Sequence, residues 1–164
     1  MERIDKIDYY LDIAEAVSKR SSCLNKHWGA VIVKDDTIVS TGYNGAPRKI
    51  KDCMERGYCK LAEYRRNTNS GRGTCYEQCV SVHAEMNAII FANKDELKDS
   101  VLYLCGKERN LDGDWEYVKK PNPCSECKKL IINAGIKMVV VKTSNVYIGI
   151  HVDQWDENDI TGGY

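Results

Sequence analysis

Two short segments constrain this chain more than anything else in it: His83-Ala84-Glu85 and Pro123-Cys124-Ser125-Glu126-Cys127. Each opens an apolar-periodic run that reads as a helix, the first over residues 80–93 and the second over 123–134. Cys124 and Cys127 are one helical turn apart at a helix start, where unpaired backbone N–H groups and the helix dipole favour thiolate over thiol. Pro123 suits a chain entering a helix. One imidazole and two thiolates give zinc three protein ligands and leave a fourth tetrahedral position for water, the catalytic rather than the closed structural pattern. Water in that position ionises near pH 7. Glu85 is two residues from His83, so it points elsewhere than the ligand while staying near the metal. A carboxylate so placed can take a proton and hand it to a leaving nitrogen. The fold must therefore bring two helix starts, far apart in the chain, to one point.

The remaining elements show what kind of fold could do this. Ile4, Ile7, Leu11, Ala14 and Val17 form one apolar stripe of a helix over residues 3–18. Residues 30–33 read as a strand, 34–36 as a turn and 37–43 as the returning strand of a hairpin, which Asn44-Gly45-Ala46-Pro47 stops. Residues 48–72 lack clear periodicity, and 67–73 read as a polar loop. A third strand falls at 101–104. The polar stretch 106–122 has room for a small hairpin around Asp112-Gly113, with Trp115, Tyr117 and Val118 as strand formers. Gly135 caps the helix that begins at Cys124, and strands follow at 138–141 and, more weakly, 147–152. Strands joined through helices predict parallel pairing in the second half, and the hairpin predicts antiparallel pairing in the first. A mixed sheet with helices on both faces follows. With no internal repeat and no linker, residues 1–164 read as one domain.

Composition narrows the function. Lys plus Arg is 24 and Asp plus Glu is 24, so the chain has no net charge with which to neutralise phosphates as a general nucleic-acid binder. A hydrophobic content of 43% excludes a disordered tail protein. No apolar run approaches the ~20 residues needed to span a membrane, and the first five residues lack the apolar core of a signal peptide. A cytoplasmic protein is expected, in which the eight cysteines serve as metal ligands or buried thiols rather than disulfides.

The pattern H-x-E…P-C-x-x-C is the general signature of zinc deaminases. Together with Gly29-Ala30-Val31-Ile32-Val33, Thr41-Gly42-Tyr43-Asn44-Gly45, His83-Ala84-Glu85-Met86-Asn87-Ala88-Ile89 and Ile131-Ile132-Asn133-Ala134-Gly135-Ile136, it makes the chain resemble the cytidine deaminase superfamily. The G-Y-N-G segment narrows the resemblance to the deoxycytidylate (dCMP) deaminases. The resemblance implies a three-layer α/β/α cytidine-deaminase-like fold with a central mixed five-stranded sheet, in a homo-oligomer that is often a hexamer. It implies hydrolytic conversion of dCMP to dUMP and ammonia, feeding dTMP synthesis, on a catalytic Zn2+ held by His83, Cys124 and Cys127, with Glu85 moving protons. It further implies that Asn44 contacts the deoxyribose, that the backbone near Ala84 meets the pyrimidine edge, and that Lys94 contacts the 5′-phosphate; a solvated helix-end lysine is the plain alternative for Lys94.

Many such enzymes carry a second, structural zinc in a Cys-rich insertion, here at about 48–79. Matching positions imply Cys23, Cys53 and Cys79 as ligands and Cys59 as the fourth, with Cys75 and then His27 as competitors; Cys105 reads as a buried thiol. Residues 48–72 carry eight basic against three acidic side chains, a balance of +5 that reads either as a solvated surface or as a nucleotide-phosphate site. The family is commonly activated by dCTP and inhibited by dTTP. This chain has Lys49 where relatives often have glycine two residues after the loop proline, which bears on that regulation. Tyr147 lies near where relatives place an aromatic over the base, and residues 107–120 are longer than the usual connection before P-C-x-x-C. Two rival readings stand: the same chemistry on another base, nucleoside or nucleic acid, and a non-catalytic zinc module, which explains Glu85 badly.

Overall fold

Period-two alternation in three strands divides the molecule into layers. In the computed structural model, which describes residues 2–161, Ala30 and Ile32, Leu102 and Leu104, and Val139 and Val141 face one helical layer. Val31 and Val33, Tyr103 and Cys105, and Val140 face the other. The three strands are β1 (Lys26–Lys34), β3 (Val101–Arg109) and β5 (Met138–Lys142), and they form the middle of a sheet ordered β2-β1-β3-β5-β6. Its outer members are β2 (Thr37–Tyr43) and β6 (Tyr147–His151), while the short β4 (Trp115–Tyr117) pairs with the far end of β3. Only β3 and β5 run parallel; every other pairing is antiparallel. The expected mixed sheet in an α/β architecture is present, with less parallel pairing than the strand–helix alternation predicts, because the strand after the second long helix inserts beside β1 rather than beside β2.

One face is covered by α1 (Lys6–Ser18), which buries Leu11 and Ala14. It starts after residue 3 because the Asp5 carboxylate caps it, accepting the Ile7 N–H at 2.8 Å. The other face carries α4 (Ala84–Phe91) and α6 (Ser125–Ala134), through Ala84, Ala88, Cys127 and Ile131. Between β2 and α4 the chain forms α2 (Cys53–Arg56), α3 (Lys60–Thr68) and a 3-10 turn (Tyr76–Gln78). These short helices replace the featureless stretch read from the sequence. The first of them stands on local capping, the reciprocal bonds between Asp52 and Glu55, while α3 has no side-chain bond at its N-cap and buries Leu61. The chain is completed by α5 (Lys94–Leu97), a 3-10 turn (Val152–Gln154) and α7 (Glu157–Ile160), which packs against α6. Among the described residues no helix is long and apolar enough to cross a membrane.

The seating of α4 fixes where the site lies. A Cβ at Gly42 would meet the Ala84 carbonyl oxygen at 2.3 Å and the Ala88 nitrogen at 2.4 Å, so glycine lets the helix rest on the backbone of β2. Ser40, earlier on β2, donates its hydroxyl to the Ala88 carbonyl at 2.5 Å. The start of α4 therefore points to the Tyr43 end of β2. The crossover from β3 through α6 to parallel β5 places the start of α6 at the C-terminal end of β3. Both helix starts open over the same end of the sheet.

Candidate active site

His83 is the N-cap of α4 and Cys124 the N-cap of α6. The first of these helices begins later than residue 80 because Val82 is held in a two-bond bridge to Gly45, with N–H···O distances of 3.1 and 2.8 Å. That bridge ties the G-Y-N-G loop directly to the residue before His83. The Nδ1 atom of His83 lies 3.4 Å from the sulfur of Cys124 and 3.4 Å from that of Cys127. The three donor atoms lie within 4.8 Å of one another, and among the described residues no other three His, Cys, Asp or Glu side chains are so gathered. One imidazole nitrogen and two sulfurs form a donor set suited to zinc.

The electrostatics of the cluster follow from its burial. The hydrogen bond from Cys127 to the Cys124 sulfur, aided by His83 and the Cys127 backbone N–H, outweighs burial and holds the Cys124 thiol down at about 4. Cys127 is pushed up by that same bond and by burial. The Cys124 sulfur raises His83 against the opposing effect of burial. Glu85 is 5% exposed, and burial pushes its carboxyl up, with His83 opposing. It is close enough to hydrogen-bond with Cys127. A carboxyl raised by burial beside an imidazole and two sulfurs can hold and release a proton.

The other expected contacts are placed unevenly. Ala84 is fully buried at the start of α4. Asn44 is at the same end of the sheet, but its amide already serves the backbone of β1: Oδ1 accepts the Trp28 N–H at 2.7 Å and Nδ2 donates to the Lys26 carbonyl at 2.9 Å. Lys94 is exposed and opens α5, beyond the far end of α4, which is about 12 Å long at 1.5 Å per residue. In the Cys-rich region, Cys53 is pushed up to about 11 by burial and then by the charges of Cys23, Cys59 and Cys79, but no three of these four sulfurs lie within 4.8 Å of one another. Cys75 instead turns its thiol to the Thr74 hydroxyl at 3.5 Å. His27 commits Nε2 to the Cys23 carbonyl at 2.9 Å, and its ring stacks on Trp115 at 3.8 Å between centroids.

Sequence reading passed over Lys128, which follows Cys127 directly. Its ammonium is buried, lies 3.3 Å from the Asp159 carboxylate and sits over the Trp155 ring at 5.3 Å, so the C-terminal segment is fastened to the helix bearing both cysteines. A charged residue on the inward side of an amphipathic helix was the available signal.

Comparison with known proteins agrees with this arrangement. The family model described as "Cytidine and deoxycytidylate deaminase zinc-binding region" matches residues 4–143. The chain is 34% identical over 146 residues to the deoxycytidylate deaminase of Mycobacterium phage D29, covering 85% of this chain and 96% of that protein. It is 32% identical over 136 residues to the deoxycytidylate deaminase of Schizosaccharomyces pombe, covering 83% of this chain but only 36% of that longer protein. The crystal structure of dCMP deaminase from the cyanophage S-TIM5 in apo form shares the fold, with a TM-score of 0.54 at 21% identity over 87% of this chain and 86% of that one.

Proposed function

The chain belongs to the family of cytidine and deoxycytidylate deaminases with a zinc-binding region, and from that premise we propose that it converts dCMP to dUMP and ammonia by hydrolysis. The observation that carries the reading is the convergence of His83, Cys124 and Cys127 on one point with the buried Glu85 carboxyl beside them. Near-complete coverage of the phage deoxycytidylate deaminase supports the choice of substrate.

His83, Cys124 and Cys127 would hold the metal. Bound zinc supplies an acidified water for attack on C4 of the pyrimidine. Glu85 would take one proton from that water and pass it to N3, then take the second from the new C4 hydroxyl and deliver it to the amino group, which departs as ammonia as the hydroxyl becomes the C4 carbonyl. The backbone at Ala84 lies against the pyrimidine edge. Asn44 keeps one amide hydrogen beyond those the backbone of β1 uses, and that hydrogen is assigned to the deoxyribose. The 5′-phosphate is assigned to Lys94, which asks the nucleotide to reach along α4.

A single deaminase domain with a Cys-rich insertion at about 48–79 fits this reading. In the insertion a second, structural zinc is assigned to Cys23, Cys53, Cys59 and Cys79, whose sulfurs would draw together to hold it; support comes from the electrostatic influence of the other three on Cys53, and from Cys75 facing Thr74 instead. The chain works as a homo-oligomer in the cytoplasm, and the exposed Ile90 and Phe91 on α4, at 68% and 57%, support a subunit contact. Regulation by dCTP and dTTP at the basic loop belongs to the same reading, and Lys49, the departure from the relatives' glycine that counts against it, has a φ of 69°, a shape glycine adopts more readily.

Ammonia release measured across dCMP, CMP, deoxycytidine, dCTP and guanine tests the assignment. The zinc-loaded protein is expected to act on dCMP far above the rest. Release from none of the five would overturn it.

A further inference from the structure

Trp28 occupies the end of the sheet over which α4 and α6 begin. On β1 it shares a face with Ala30 and Ile32, which are fully buried beneath the helices, whereas Trp28, two residues nearer the site end, is only half-buried. Asn44 anchors it on one side: the Trp28 N–H goes to Asn44 Oδ1 at 2.7 Å, and the Asn44 N–H goes to the Trp28 carbonyl at 3.2 Å. The next residue, Gly45, bridges to Val82, the neighbour of His83. On the other side Trp28 pairs in register with Gly106 of β3.

Gly106 decides where the indole goes. A Cβ built there would lie 2.5 Å from Cη2, 2.5 Å from Cζ3 and 2.6 Å from Cζ2 of Trp28. Three consecutive ring atoms at nearly one distance put the six-membered ring face-down over Gly106. Any other residue at 106 would push it off. The second ring face is therefore turned away from the sheet, toward the layer that holds His83, Cys124 and Cys127.

We propose that Trp28 is a substrate-contacting specificity residue: its upper ring face is the platform on which the pyrimidine of the nucleotide rests, and Gly106 is what lets the ring lie flat. The inference rests on the functional reading above and adds a residue to it. A planar aromatic surface stacks on a base through its π-face.

The test has two parts. Wild-type zinc-loaded protein is first assayed with dCMP; no turnover there would remove the functional reading, and this inference with it. Trp28→Ala and Trp28→Phe are then compared at equal zinc content. The alanine variant is expected to raise KM for dCMP roughly ten-fold or more with a smaller change in kcat, and phenylalanine to recover most of the loss. Turnover by the wild type with KM in Trp28→Ala within two-fold of it would overturn the inference and leave the function standing. Should Trp28→Ala not fold, the double variant Trp115→Phe/Trp155→Phe leaves Trp28 as the sole indole of the three. Its fluorescence is expected to be quenched by the product dUMP, and an unchanged signal with dUMP bound would refute the contact.

Discussion

If the chain works as proposed, Glu85 is the residue on which turnover depends most. It is buried beside the metal donors without being one of them, so removing its carboxyl separates proton transfer from metal binding. Glu85→Gln is expected to lower kcat for dCMP by about 10²–10⁴-fold, the usual worth of a positioned acid–base group, with zinc content unchanged. Metal analysis beside the rate measurement checks this; loss of zinc together with activity would place Glu85 among the ligands instead. At this scale the sequence was most informative, because chemistry dictates residue type: His83, Glu85, Cys124 and Cys127 match the H-x-E…P-C-x-x-C pattern, and the structure brings His83, Cys124 and Cys127 together. Asn44 was half legible. Its place beside the site was expected, but the two hydrogen bonds that tie it to β1 depend on strand register, which no local pattern reveals. Lys128 was legible only as a charge on the inward side of its helix; its partners Trp155 and Asp159 belong to a segment with no apolar periodicity.

At the scale of elements, α1 is joined to three strands by one polar cluster. Glu15 of α1 accepts from Lys107 of β3, Lys142 of β5 and Tyr117 of β4, while Asp12 also pairs with Lys142, and the buried Cys105 lies close by. Burial would raise Glu15, but the bonds from Lys107, Lys142 and Tyr117 outweigh it and hold the carboxyl down at about 2, against 4.5 when free. A depressed carboxyl stabilises the fold at pH values above the unfolded value and loses that contribution as pH falls through the folded one. Wild type is therefore expected to exceed Glu15→Gln by about 2 kcal/mol in urea unfolding at pH 6, with the gap closing between pH 4.5 and pH 2. A gap that stays constant down to pH 3 would contradict the assignment. The long elements were readable from periodicity, with errors at the ends. Residues 30–33 are the fully apolar centre of a longer strand, whose flanks are held by pairing with β3 and, at Gly29 and Lys34, with β2. The helices α2 and α3 escaped because α2 is four residues held by its capping box and α3 buries Leu61 alone, so neither shows a long apolar stripe.

For the whole molecule, the account predicts two zinc ions per chain of different character. Dialysis against a moderate chelator should remove the ion at the open three-donor site first and abolish turnover. The four-cysteine ion should leave later, together with a fall in thermal stability. One zinc per chain in fully loaded protein would eliminate the second site. The sheet order itself could not be read from the chain, since inserting β3 beside β1 depends on which faces are left to bury once the hairpin has formed. The convergence of the two helix starts was readable, because the donors demanded it.

Anomalous diffraction at the zinc edge, from crystals of zinc-loaded protein, tests the central claim most directly. A peak is expected about 2.0–2.1 Å from Nδ1 of His83 and about 2.3 Å from the sulfurs of Cys124 and Cys127, with a water as fourth neighbour. A fourth protein atom in that position, or no peak among the three side chains, would contradict it.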